Sequence, residues 1–132
     1  MAKYVYPAVF TREEDGSYSI NFPDFESCYT SGETLADGIA MAEDALCLVL
    51  YDMEEKGAMI PAASDLNTVA HEENEIVTLI SCDTIEYRKF YNNKAVKKTL
   101  TIPAWLNTMA ERQGINFSTV LQKALQQELH LN

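Results

Sequence analysis

The chain is poor in the residues that make staples, metal sites and membrane spans. Its three cysteines, Cys28, Cys47 and Cys82, are an odd number without a CxxC pair. They fit reduced cytosolic thiols and exclude a disulfide framework or a zinc site of ordinary spacing. His71 and His130, the only histidines, lie far apart with no ligand pattern near either. No run approaches the roughly 18 apolar residues of a membrane helix, and MAKYVYPAVF lacks a signal peptide's apolar stretch. A cytoplasmic protein with no membrane partner is expected. Glycine-rich phosphate loops and a Ser-His-Asp arrangement are also missing, so no cofactor, catalytic residue or metal ligand is assigned.

Positive charge is scarce at the front of the chain and concentrated at its rear. Residues 1–85 carry 3 Lys or Arg against 17 Asp or Glu, a formal −14. Residues 86–132 carry 7 against 3, a formal +4. The net −10 argues against nucleic acid only if this asymmetry is ignored. An acidic front suits a basic protein partner, although such a surface also serves plain solubility.

What is present is a folded composition: 47% hydrophobic residues exclude a disordered chain. The first part reads β-β-β-α-β. Tyr4–Phe10 is a strand apolar on both faces, with Pro7 favouring an edge or a bulge. Asp15-Gly16 marks a hairpin turn. Tyr18, Ile20 and Phe22 share one face of a second strand, and Cys28–Thr30 makes a short third. Thr34 with Asp37 resembles a capping box and opens a long helix to about Lys56, ended by Gly57. Leu35, Ile39, Ala42, Leu46, Val49, Leu50 and Met53 form its apolar face. Glu75–Ser81 is a further strand, whose near-continuous apolar run predicts cover on both faces or a place deep in the sheet. Residues 83–95 read as a linker or short helix carrying Tyr87, Phe90 and Tyr91, with Arg88, Lys89 and Lys94 as candidate phosphate contacts. Asp24, a lone acid in a turn, is not the carboxylate cluster a metal-dependent nuclease needs.

The last third, 96–132, reads strand–Pro–helix–Gly–helix. Lys97, Thr99 and Thr101 take one side of an extended segment; Lys98, Leu100 and Ile102 take the other. Pro103 stops the strand and starts a helix bearing Trp105, Leu106 and Met109. Gly114 ends it, and Asn116 or Ser118 caps a second helix bearing Leu121 and Leu125. So short a unit cannot enclose a core, and a lone strand leaves its hydrogen-bonding edges unsatisfied. Pairing the strand with its copy in a second chain repairs both faults. The ribbon's outer face then carries Lys97, Thr99 and Thr101 twice, and such a ribbon fits the DNA major groove.

This segment resembles a ribbon-helix-helix domain, and the whole chain resembles the HicB family of type II antitoxins. The resemblance rests on YVYPAVF, DGSYSINFPDFESCYT, GETL and TLTIPAWLNTMAERQGINFSTVLQKAL, in that order. It implies an α+β protein: a cut-down, inactive ribonuclease-H-like domain over 1–82, which binds the toxin, and a ribbon-helix-helix domain over 96–132. It implies a HicA-like toxin partner, an mRNA-cleaving protein whose active surface the antitoxin covers. Phe22, Asp24, Phe25, Glu26 and Tyr29 are the expected toxin contacts. Lys97, Thr99, Thr101, Asn116 and Ser118 are the expected contacts to operator DNA, with autoregulation of the operon. Leu100, Ile102, Trp105, Leu106, Met109, Leu121 and Leu125 are the expected homodimer core. A tetramer through the first domains remains open. The competing reading is a stand-alone ribbon-helix-helix regulator whose first domain binds a ligand or mediates oligomerisation.

Overall fold

The spine of the first unit is β1 (Lys3–Arg12), which has both β2 (Tyr18–Asn21) and β4 (Glu75–Asp83) as antiparallel neighbours. With β3 (Tyr29–Gly32) the sheet runs β3-β2-β1-β4. One helix, α1 (Leu35–Lys56), crosses it, and α2 (Thr84–Tyr91) follows β4 directly. Two further helices, α3 (Ala104–Arg112) and α4 (Phe117–Glu128), lie in the rear of the chain. The computed structural model describes residues 3–131. Its contacts divide the chain into two compact units, Met1–Lys94 and Ala95–Asn132.

The first unit's core lies between α1 and one face of the sheet. Tyr6, Ala8 and Phe10 of β1, Ile20 of β2 and Ile80 and Cys82 of β4 meet Ala42, Leu46 and Leu50 of α1. Strand alternation puts the first set on one face, and helical spacing puts the second on one stripe. Thr34 caps α1 by accepting from the Asp37 N–H at 3.1 Å. Gly57 ends α1 at φ 64°, the left-handed conformation that costs a glycine least, and the Ala58 N–H closes back on the Met53 carbonyl at 2.9 Å.

Four details depart from the sequence reading. The apolar stripe of α1 does not begin with Leu35 and Ile39, which are exposed; Gly38 holds the inward position at that end. The reason is a backbone-on-backbone contact. A Cβ on Gly32 of β3 would lie 2.4 Å from the Gly38 Cα, so the end of β3 and the first turns of α1 touch without side chains between them. β4 is not covered on both faces. It is an edge strand, and Ile76 and Leu79 are about half exposed. Pro7 is buried in a strand that has two neighbours, yet the β2 ladder stops at Val9↔Asn21, so only β4 flanks it. The third strand begins one residue later than expected and runs on to Gly32.

In the second unit, Gly114 follows α3 and Asn116, not Ser118, caps α4, accepting from the Thr119 N–H at 3.1 Å. Neither helix buries a single residue.

The glycine contact makes a stability prediction. Gly32→Ala must push α1 off β3 and is expected to lower the unfolding free energy by about 1–3 kcal/mol or more. Gly38→Ala meets only the Ile20 and Phe10 side chains, at 3.2 and 3.3 Å, and gains up to about 1 kcal/mol of helix propensity, so its net effect is small. Urea unfolding of the two variants in parallel checks the difference.

Candidate partner and nucleic-acid surfaces

The expected toxin contacts do not form one surface. Phe22 is wholly buried and Phe25 nearly so; both belong to the core beneath β1 and α1. The turn after β2 folds inward, with Phe22 N–H on the Cys28 carbonyl at 3.0 Å, and Phe25 packs edge-on against Tyr6 at 4.8 Å. Phe22 therefore offers a partner nothing, which corrects the sequence assignment, and Phe25 keeps only a sliver of surface. Asp24 is half-buried and ties the turn to the connector, accepting from the Ser64 N–H at 3.0 Å and from its hydroxyl. Glu26 and Tyr29 are exposed.

The structure adds residues that sequence spacing could not bring together. Asp24, Phe25 and Glu26 line an open depression of about 510 Å³ with Val49, Asp52 and Met53 of α1, and with Met59 of the connector. Met59 is 92% exposed. The only forewarning in sequence was a methionine in a connector, where burial gives it no reason to be.

A second polar centre fixes α2 to α1. The Glu54 side chain, only 4% exposed, accepts from Tyr4 Oη at 2.7 Å, Thr84 Oγ1 at 3.0 Å and Arg88 Nη2 at 3.0 Å. Arg88 also pairs with Glu55 and stacks over the Tyr51 ring at 4.7 Å. Burial pushes the Glu54 carboxyl up, but the hydrogen bonds from Tyr4, Arg88 and Thr84 outweigh it and hold the carboxyl below its ordinary 4.5. Burial, then the Glu54 carboxylate, raise the Tyr4 phenol to about 12. Arg88 is thus an internal tie, and Lys89 pairs with Glu86 at 3.1 Å. Arg88 therefore does not stand ready for phosphate as the sequence reading had it, whereas the Lys89 pair is exposed on both sides and weak. Residues 84–91 take the short-helix form of the two that the sequence reading allowed, and they fold with the first unit.

In the second unit the Lys97–Ile102 segment joins no ladder in the single chain. A strand needs a partner to be hydrogen-bonded, and a lone chain supplies none. Lys97, Thr99 and Thr101 are exposed, and so are Leu100 and Ile102 on the opposite side. Trp105 (65%), Leu106, Met109 and Leu125 are exposed as well; Leu121 is half-covered. Ser118 sits exposed in the first turn of α4, beside the Thr119 N–H that Asn116 already holds.

Comparison with known proteins fits this two-unit chain. Residues 6–125 match the profile of a HicB-like antitoxin of bacterial toxin-antitoxin systems. The chain is similar to an Antitoxin HicB of Escherichia coli strain K12, at 35% identity over 66 residues, 50% of this chain and 48% of that protein. It thus matches about half the length of that relative. Its fold is similar to a chain of a toxin–antitoxin complex from Streptococcus pneumoniae, with TM-score 0.62, 29% identity, and coverage of 96% and 99% of the two chains. The Burkholderia pseudomallei antitoxin HicB shares the fold at TM-score 0.55 and 19% identity, over 92% and 96% of the chains.

The Glu54 centre sets a pH dependence. Its folded pKa lies below the unfolded one, so its stabilisation is present above about pH 4.5 and is lost as pH falls through the folded value. Between neutral pH and about pH 3, Glu54→Gln is expected to show a shallower fall in urea-unfolding free energy than the unaltered chain. At neutral pH, Glu54→Ala should cost about 3 kcal/mol, the low end for a broken buried pair, because Glu55 still holds Arg88.

Proposed function

The chain belongs to the HicB-like antitoxin family, whose members act by binding and not by catalysis, and from that premise we propose a two-handed antitoxin. The first unit, read as a reduced ribonuclease-H-like domain, covers the active surface of a HicA-like mRNA-cleaving toxin. The second, read as a ribbon-helix-helix domain, dimerises and represses its own operon by binding operator DNA.

The observation that carries the second half is the uncovered apolar face of residues 95–132. Leu100, Ile102, Trp105, Leu106, Met109 and Leu125 are each at least 41% exposed in the single chain. Full burial of a large apolar side chain is worth roughly 1.5–3 kcal/mol, so a face of six is a strong drive to association. A second copy, docked about a two-fold axis, pairs the two Lys97–Ile102 segments as an antiparallel ribbon and turns Leu100 and Ile102 inward onto the helices. Lys97, Thr99 and Thr101 then face the major groove. Threonine reads base edges or a thymine methyl, and lysine reaches guanine acceptors or phosphate. Asn116 and Ser118 hold the start of α4 against the backbone phosphates.

The first half is supported by the formal −14 over residues 1–85, which suits a partner that itself binds RNA and is therefore basic. A regulator with a small-molecule pocket is supported less well. The depressions identified on the first unit are open and are lined in part by acids. The free edge of β4, nine residues with no Pro, Lys or Arg, gives first units a means to pair and extend the dimer to a tetramer.

The direct test mixes the chain with the protein encoded by the adjacent gene and follows RNA cleavage. A stable complex that stops cleavage is expected; undiminished cleavage overturns the toxin-blocking role. For the second unit, Leu100→Asp with Ile102→Asp should halve the sedimenting mass and abolish operator binding. Lys97→Ala should weaken binding across sequences and reduce the salt slope by about one per half-site, whereas Thr99→Ala should cost about 1–3 kcal/mol at particular base pairs. Binding titrations at several salt concentrations separate the two.

A further inference from the structure

The depression beside α1 has two qualities that do not usually coincide on a solvated surface. Part of its lining is apolar: Phe25, Val49, Met53, Met59 and Pro61. Its rim is anionic, made by Asp24, Glu26 and Asp52, and no Lys or Arg lines it. Met59 stands almost wholly in water, with room to move against a guest. Methionine is the apolar side chain best able to reshape itself around a guest.

The combination matches one kind of guest closely. Arginine and lysine carry a charged tip on an apolar stem, so the stem can lie on the apolar lining while the tip meets the rim. The chain already shows half of this match. Lys56, one turn further along α1, sends its ammonium to Asp52 at 2.9 Å. Both side chains are largely exposed, so the pair is weak and replaceable. An arginine brings a planar fork that grips a carboxylate through two bonds, which an ammonium cannot do. The hydrogen bonds from Ser64 to Asp24 hold that carboxylate in place before any guest arrives.

We propose that this depression is where the first unit grips its protein partner, by taking in an arginine or lysine side chain, its stem against Val49, Met53 and Met59 and its cation on Glu26 and Asp52. The inference rests on the reading of this chain as a toxin-binding antitoxin and names the place and the chemistry of that contact. It replaces Phe22 with residues of α1 and the connector. It also makes toxin binding sensitive to salt, because the rim is exposed.

The test measures binding of the full chain to the purified protein of the adjacent gene by titration calorimetry. The paired variant Glu26→Lys with Asp52→Lys is compared with Glu13→Lys with Glu14→Lys, which makes the same charge change in the β1–β2 turn. Thermal unfolding establishes that both variants fold. The expected result is a loss of at least 30-fold for the depression variant and under 3-fold for the turn variant. A photo-crosslinking residue at Met59 should couple to the partner in the complex. If the unaltered chain binds and the two variants weaken it equally, or neither does, the depression is not the contact. If the unaltered chain does not bind at all, the toxin-blocking reading falls and this inference falls with it.

Discussion

The second unit cannot satisfy itself. Its two short helices present their apolar stripes to solvent, and its extended segment has backbone donors and acceptors with no ladder to join. A chain this short has too little interior to bury the side chains it carries. The proposed association with a copy would repair the hydrophobic and the hydrogen-bonding deficits in one step. The same step would create a two-stranded surface with Lys97, Thr99 and Thr101 displayed twice. In this account dimerisation and DNA reading are one structural event.

The first unit is built in the opposite way. It has a closed core between one sheet face and α1, and it secures α2 with the Glu54–Arg88 tie and the Tyr51 and Tyr87 rings. It therefore has an interior of its own, unlike the second unit. Its strong negative charge disfavours DNA, which fits the proposed division of labour: the acidic unit for protein, the basic segment for nucleic acid. The absence of a strong bidentate arginine from the reading segment fits that division. Two modest half-sites joined in one molecule bind cooperatively where neither would hold alone.

Much of this was legible in sequence, and the reason is local. The Thr34 cap, the Gly57 stop, the Asp15-Gly16 turn and the alternation of β1 and β2 are written within a few residues of where they act. Contacts that depend on how elements meet were not legible. Nothing in the spacing says that Gly32 and Gly38 touch, which is why Leu35 and Ile39 were misplaced on the inner face. The family resemblance alone places Phe22 and Phe25 among the partner contacts, yet the turn folds under and buries them. The apolar run of β4 reads as an interior strand, but its outer edge and half of one face stay open. The depression joins residues 24–26, 49–53 and 59, and no periodicity connects those stretches.

Amide hydrogen exchange over residues 97–102, followed as a function of chain concentration, tests the central claim most directly. A ribbon formed between two chains predicts alternate amides of this segment protected at high concentration, with protection lost on dilution while the β1–β4 amides remain protected. Exchange at the unprotected rate at every concentration, with the first unit folded, would contradict it.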